Sequence, residues 1–229
     1  MPPPAKVAYN KGEKGFTLAE VLVTLGIIGV VSAMTVPSLM QNHQRKTYVT
    51  QLHKVYNELS QAAVQYQTDN NAVNLKEAGL IDQASADKFI ENYFKIVQKC
   101  GSDKTPCFAN KYRKLNGAIL TAWYPTGTHY AIANGTSIKV NYRAGQNNML
   151  VEFYVDTNGA KGPNIVGRDL FAMFLYNDGL IDDYDFKPVT NAPMTEDERE
   201  ANFATCNGTG TNWHGCFGKI LNDNWEMTY

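Results

Sequence analysis

From Val21 to Met40 the chain reads VLVTLGIIGVVSAMTVPSLM, a run with no charged side chain. As a helix rising about 1.5 Å per residue, such a run spans about 30 Å, the thickness of a bilayer's hydrocarbon core. A helix apolar on every side needs an apolar environment on every side. One acid, Glu20, stands at the entrance of this run. A carboxylate at that depth costs several kcal/mol unless it is paired, so its presence points to a function. The preceding segment, MPPPAKVAYNKGEKG, is polar and proline-bearing, with Lys6, Lys11 and Lys14 against Glu13.

Two ordinary explanations fit poorly. A secretory signal has an apolar stretch of about 7–15 residues ending in a small-x-small site. Here the stretch is longer, and Ser32-Ala33-Met34 is a poor site. A plain membrane anchor leaves Glu20 unexplained. Flanking charge does not settle orientation, because Lys6, Lys11 and Lys14 are nearly balanced by Arg45, Lys46 and Lys54 on the far side.

The stretch KGFTLAEVLVTLGIIGVVSAMTVPSL resembles the processing site and helix of type IV prepilins and type II secretion pseudopilins, most strongly over residues 14 to 60. The resemblance implies that a membrane aspartyl prepilin peptidase cuts after Gly15 on the cytoplasmic side. It also implies that the same enzyme methylates the new amino terminus at Phe16, and that Glu20 is the family's acid. The expected place is the bacterial inner membrane, crossed once, with the head in the periplasm or outside. Assembly is expected to give a surface or periplasmic fibre. The implied partners are the peptidase, other pilin subunits and the pilus or secretion assembly platform. After cleavage Phe16 carries an ammonium, and Glu20 lies one helical turn on. In a stack of subunits the Glu20 of one can meet the Phe16 of its neighbour and fix the register, since either charge alone is expensive. Pro37 cannot donate to the carbonyl of Ala33 and is expected to kink the helix. Gly29 and Ala33 form a small-xxx-small pair that permits close helix packing.

Beyond the apolar run, Tyr48, Leu52, Val55, Leu59, Ala62 and Tyr66 fall on one helical face. The opposite face carries Gln51, Lys54, Asn57, Glu58 and Gln61. The expected organisation is therefore a leader over 1–15, a transmembrane and assembly helix over 16–40, an amphipathic continuation over 41–68, and a globular head over 69–229. Helical segments are expected within 75–99. Four short strands are expected at Ala118–Tyr124, His129–Ala133, Ser137–Arg143 and Leu150–Val155, with a further strand at Asp169–Tyr176. Met194–Ala204 opens with Thr195-x-x-Glu198, a capping-box pattern, and reads as a short helix. The fold class is α+β and pilin-like, a long N-terminal helix packed on an antiparallel sheet.

The four cysteines allow three pairings. Local pairing, Cys100 with Cys107 and Cys206 with Cys216, is favoured because short loops close at low entropic cost. Free thiols and a zinc site from Cys206, His214 and Cys216 are the rival readings, the latter at a spacing that fits no common zinc pattern. The resemblance implies that a C-terminal disulfide loop, here 206–216, faces outward.

The segment VDTNGAKGPNIVGRDLF, Val155 to Phe171, concentrates Asp, Asn and Gly. It resembles loops of pseudopilin heads, some of which bind calcium. Asp156, Asn158 and Asp169 are the calcium candidates. Lys161 argues against a cation and is a possible partner for Asp156 or Asp169. A hydrogen-bonded Asx and glycine turn without metal is the preferred reading.

A net charge of −1 argues against a dedicated nucleic-acid binder. The sequence has no nucleophile elbow, H-E-x-x-H or P-loop. His43, His53, His129 and His214 are scattered and read as surface residues. No enzyme is expected. The expectation is a structural subunit that assembles through its N-terminal helix. The alternative is an adhesin or ligand-binding head displayed on a pilin stalk.

Overall fold

The structure is a computed structural model and describes residues 15–143, 148–184 and 192–229. The charged leader residues Lys6, Lys11, Glu13 and Lys14 lie outside the described residues. The chain divides into two compact units, one ending at His43 and the other spanning Gln44–Tyr229.

Helix α1 runs Leu18–Asp69 and carries Pro37 in its interior. Its N-terminal part behaves as an apolar helix must when it has no neighbours: every described residue from Gly15 to Gln44 is exposed. The head part of α1 buries Val49, Leu52, Val55, Leu59, Ala62, Ala63 and Tyr66. This stripe of three- and four-residue spacings joins the core of the second unit.

Helix α2, Gln83–Tyr93, starts at a capping box in which Asp82 accepts from the Ser85 N–H. It buries Ala86, Phe89 and Ile90. Six antiparallel strands follow: β1 (Ile96–Gly101), β2 (Thr128–Ile132), β3 (Ser137–Tyr142), β4 (Met149–Asp156), β5 (Leu170–Tyr176) and β6 (Ile181–Asp182). They lie in sequence order across one sheet. Helices α3 (Glu196–Asn207) and α4 (Cys216–Asn222) close the chain. Thr195 and Glu198 form the expected capping box at the start of α3. The whole is a pilin-like α+β arrangement.

Several expectations need correction. Helix within 75–99 is confined to α2. From Ile96 the chain is the edge strand β1, because Phe94 adopts extended backbone and β-branched Ile96 and Val97 follow. Ala118–Tyr124 is not a strand. Apart from a bridge between Arg113 and Ile119 it is irregular, and it covers one face of the sheet. There the Leu120 N–H donates to Tyr112 and the Trp213 ring N–H donates to Ala122.

Candidate assembly site and the polar face of the head

At the start of α1, Glu20 and Thr17 cap the helix reciprocally. The Glu20 carboxylate accepts from the Thr17 N–H at 2.8 Å and from its hydroxyl at 2.9 Å. The Thr17 hydroxyl oxygen accepts from the Glu20 N–H at 3.2 Å. This is the T-x-x-E capping box, present in the sequence as Thr17-Leu18-Ala19-Glu20 but missed in the reading above. The acid at the mouth of the apolar run therefore has a local partner in the single chain. Phe16 is 88 % exposed, and Leu22, Val23, Leu25, Ile27, Ile28 and Val30 are exposed as well. Among the described residues α1 is the one helix long and apolar enough to cross a membrane.

In the head, strand alternation gives the sheet two unlike faces. Ile138, Val140, Val151, Phe153 and Val155 form the apolar one. Ser137, Lys139, Asn141, Glu152, Tyr154 and Asp156 form the other, and all six are buried. Segments near both disulfides cover this polar face. Cys100–Cys107 and Cys206–Cys216 are both bonded. Tyr112 donates its hydroxyl to Asp156, and the Trp213 ring packs edge-on against Tyr154 at 4.6 Å.

Two of the four histidines correct the surface expectation. His129 and His214 are buried on this face, His129 stacked with Trp123 and His214 beside Glu152 at 3.5 Å. Burial pushes the His214 imidazolium down to about 3. His53, on α1, stacks with Trp225 at 4.0 Å. Lys114 is another buried cation that the sequence did not single out. Its ammonium donates to the carbonyls of Thr205, Gly210 and Asn212, at 3.3, 2.8 and 2.9 Å, and so holds the Cys206–Cys216 loop.

Of the calcium candidates, Asp156 and Asp169 are both buried, and Asn158 is half-buried. Asp156 accepts from Tyr112 and the Asn158 N–H. Asp169 accepts from the N–H groups of Asn164 and Ile165, both at 2.7 Å. The Asn158 amide donates to the Gly162 carbonyl at 2.7 Å, and Lys161 is exposed. Burial, and secondarily the charge of Asp169, pushes Asp156 up to about 8. Among the described residues no three His, Cys, Asp or Glu side chains are grouped to hold a metal. Both carboxylates thus close a hydrogen-bonded turn with donors from the protein itself. This donor pattern does not fit a calcium cage, which needs six or more oxygens converging on one point.

A long N-terminal helix with an exposed apolar run, followed by an antiparallel sheet, defines the class: a pilin-like α+β protein. Comparison with known proteins agrees. The family described as the prokaryotic N-terminal methylation motif matches residues 10–36. A type II secretion system core protein G of Pectobacterium carotovorum subsp. carotovorum is 34% identical over 68 residues, 30% of this chain and 43% of that protein. The core protein G of Aeromonas hydrophila is 34% identical over 71 residues, 31% of this chain and 49% of that protein. The chain thus spans just under half the length of the curated relatives it matches. No solved structure matches. The chain carries a prokaryotic N-terminal methylation motif and is distantly similar to type II secretion system core protein G.

Proposed function

We propose that this chain is a structural fibre subunit rather than an enzyme. It is cut between Gly15 and Phe16 by a prepilin peptidase and methylated on the Phe16 amine. Residues 16–40 anchor it in the inner membrane until assembly, with the head outside the cytoplasm. The observation that carries this reading is an apolar helix start, exposed throughout, that holds one acid four residues after Phe16. In the membrane lipid covers that surface. In a fibre neighbouring helices cover it, and Pro37, Gly29 and Ala33 shape the contact.

Glu20 then has two successive partners. Thr17 satisfies it in the single subunit, and the Phe16 ammonium of a neighbour competes for it during assembly. An ion pair inside an apolar fibre core specifies register because a mismatch buries an unpaired charge. The names of the relatives make a secretion-type assembly platform the first partner to test. Glu20→Val, expressed in a strain that processes and assembles the wild-type chain, is expected to lose its leader normally yet yield no sheared fibres. Fibres at wild-type level from this variant contradict the proposal.

A further inference from the structure

Lys139, Asn141 and Glu152 form a buried group that fibre assembly does not use. Lys139 and Asn141 are two positions apart on β3 and so project from the same face. Asn141 stands opposite Glu152 in the β3–β4 register. The three are sealed from solvent, Lys139 and Glu152 at 0% and Asn141 at 4% exposure. The Asn141 amide donates to the Glu152 carboxylate at 3.1 Å. The Lys139 ammonium lies 4.3 Å from the Tyr154 ring centre and 5.8 Å from that of Trp123, and donates to the Tyr124 carbonyl at 2.7 Å.

An amine, a carboxamide and a carboxylate hydrogen-bonded to that carboxamide, all buried, are the components of an amide exchange, and Arg143 at 3.5 Å, the Tyr154 hydroxyl at 3.3 Å and His214 at 3.5 Å also face the Glu152 carboxylate. We propose that Lys139 and Asn141 condense into an intramolecular isopeptide bond, with Glu152 as the proton carrier. The neutral Nζ attacks Cγ of Asn141 and forms the new C–N bond. Glu152 takes a proton from the attacking nitrogen and passes it to Nδ2. The Cγ–Nδ2 bond breaks, and Nδ2 leaves as ammonia. No oxidant or other reactant is needed.

The attack requires the Lys139 ammonium to leave the Tyr124 carbonyl that holds it at 2.7 Å. Residues two apart on a strand have Cα atoms about 7 Å apart, which a four-carbon lysine arm spans after a rotamer change away from Tyr124. The driving force is local. A buried ammonium is replaced by a neutral amide, which removes the cost of keeping that charge out of water. Burial pushes Lys139 down to about 8, so a neutral amine is accessible near neutral pH.

The test is intact mass and tryptic mapping of the purified full chain with its disulfides reduced, after incubation above the Lys139 value of about 8. The expected result is a chain lighter by one ammonia, with no tryptic cut after Lys139 and no backbone fragments between Lys139 and Asn141. Glu152→Gln is expected to keep the full mass and restore the cut. The wild-type chain decides the matter whether or not that variant folds. A wild-type chain at full mass, or one in which Asn141 has deamidated while trypsin still cuts after Lys139, overturns the proposal. Neither outcome depends on fibre assembly.

Discussion

At the residue scale the head depends on buried charges that each have a defined job. Lys114 puts one ammonium on three carbonyls, two of them within the Cys206–Cys216 loop. Lys114→Met keeps the bulk and removes the donors. It is expected to destabilise the head by about 2 kcal/mol, since hydrogen bonds to charged groups are worth about 1.5–3 kcal/mol. Denaturant melting of the detergent-solubilised chain measures this, with faster amide exchange expected around Thr205 to Asn212. Asp183 has a different signature. It accepts from the Gly218 N–H, the Tyr184 N–H and the Asn202 amide, and burial pushes it from 3.8 up to about 7. The folded state therefore holds a proton that the unfolded state has already lost between these two values. Asp183 contributes most favourably below the unfolded value and loses that contribution as pH rises through the folded one. Asp183→Asn is expected to gain on the wild type in thermal melts as pH rises across this window. A difference that shrinks across the window contradicts the assignment.

At the element scale, legibility in the sequence followed periodicity. Leu52, Val55, Leu59, Ala62 and Tyr66 marked the buried stripe of α1 because helical spacing is a strong signal. Thr195 and Glu198 marked the start of α3 because capping chemistry is local. Three elements were missed for physical reasons. β1 is an irregular edge strand with register shifts and Lys99 on it, which blunts its pattern while protecting the edge. β6 is a two-residue element made by its neighbour. α4 starts from Gly215, in left-handed backbone at φ 107°, with no side-chain cap. A Cβ at Gly215 would lie 2.1 Å from the Asn202 carbonyl oxygen, so glycine is required both by backbone and by the approach of α3. Gly215→Ala is expected to cost about 3 kcal/mol, the upper end of overpacking effects, and to lower the melting midpoint accordingly. An unchanged midpoint would mean that α3 and α4 pack less closely than described.

At the scale of the whole molecule, the two units show different limits of sequence reading. The N-terminal apolar helix was legible because an uncharged run with one acid at its mouth has few physical uses. The head's second face was not. Lys139, Asn141, Glu152 and Asp156 alternate with apolar residues, and that pattern ordinarily means a solvated sheet face. Here the segments beside both disulfides cover that face, so the alternation separates an apolar core from a polar one. His129 and His214 were read as surface residues because they are scattered along the sequence, yet the same covering segments bury both. Nothing local in a sequence reveals that a distant loop will lie over a strand.

The amino terminus of the mature chain is open to direct measurement. Intact-mass and N-terminal peptide analysis of the protein, recovered from membranes of cells that contain a prepilin peptidase, reads it in one experiment. The expected result is a mature chain that begins at Phe16 and carries one methyl group on its α-amine. A chain that retains Met1, or one whose first residue lies beyond Met40, contradicts it.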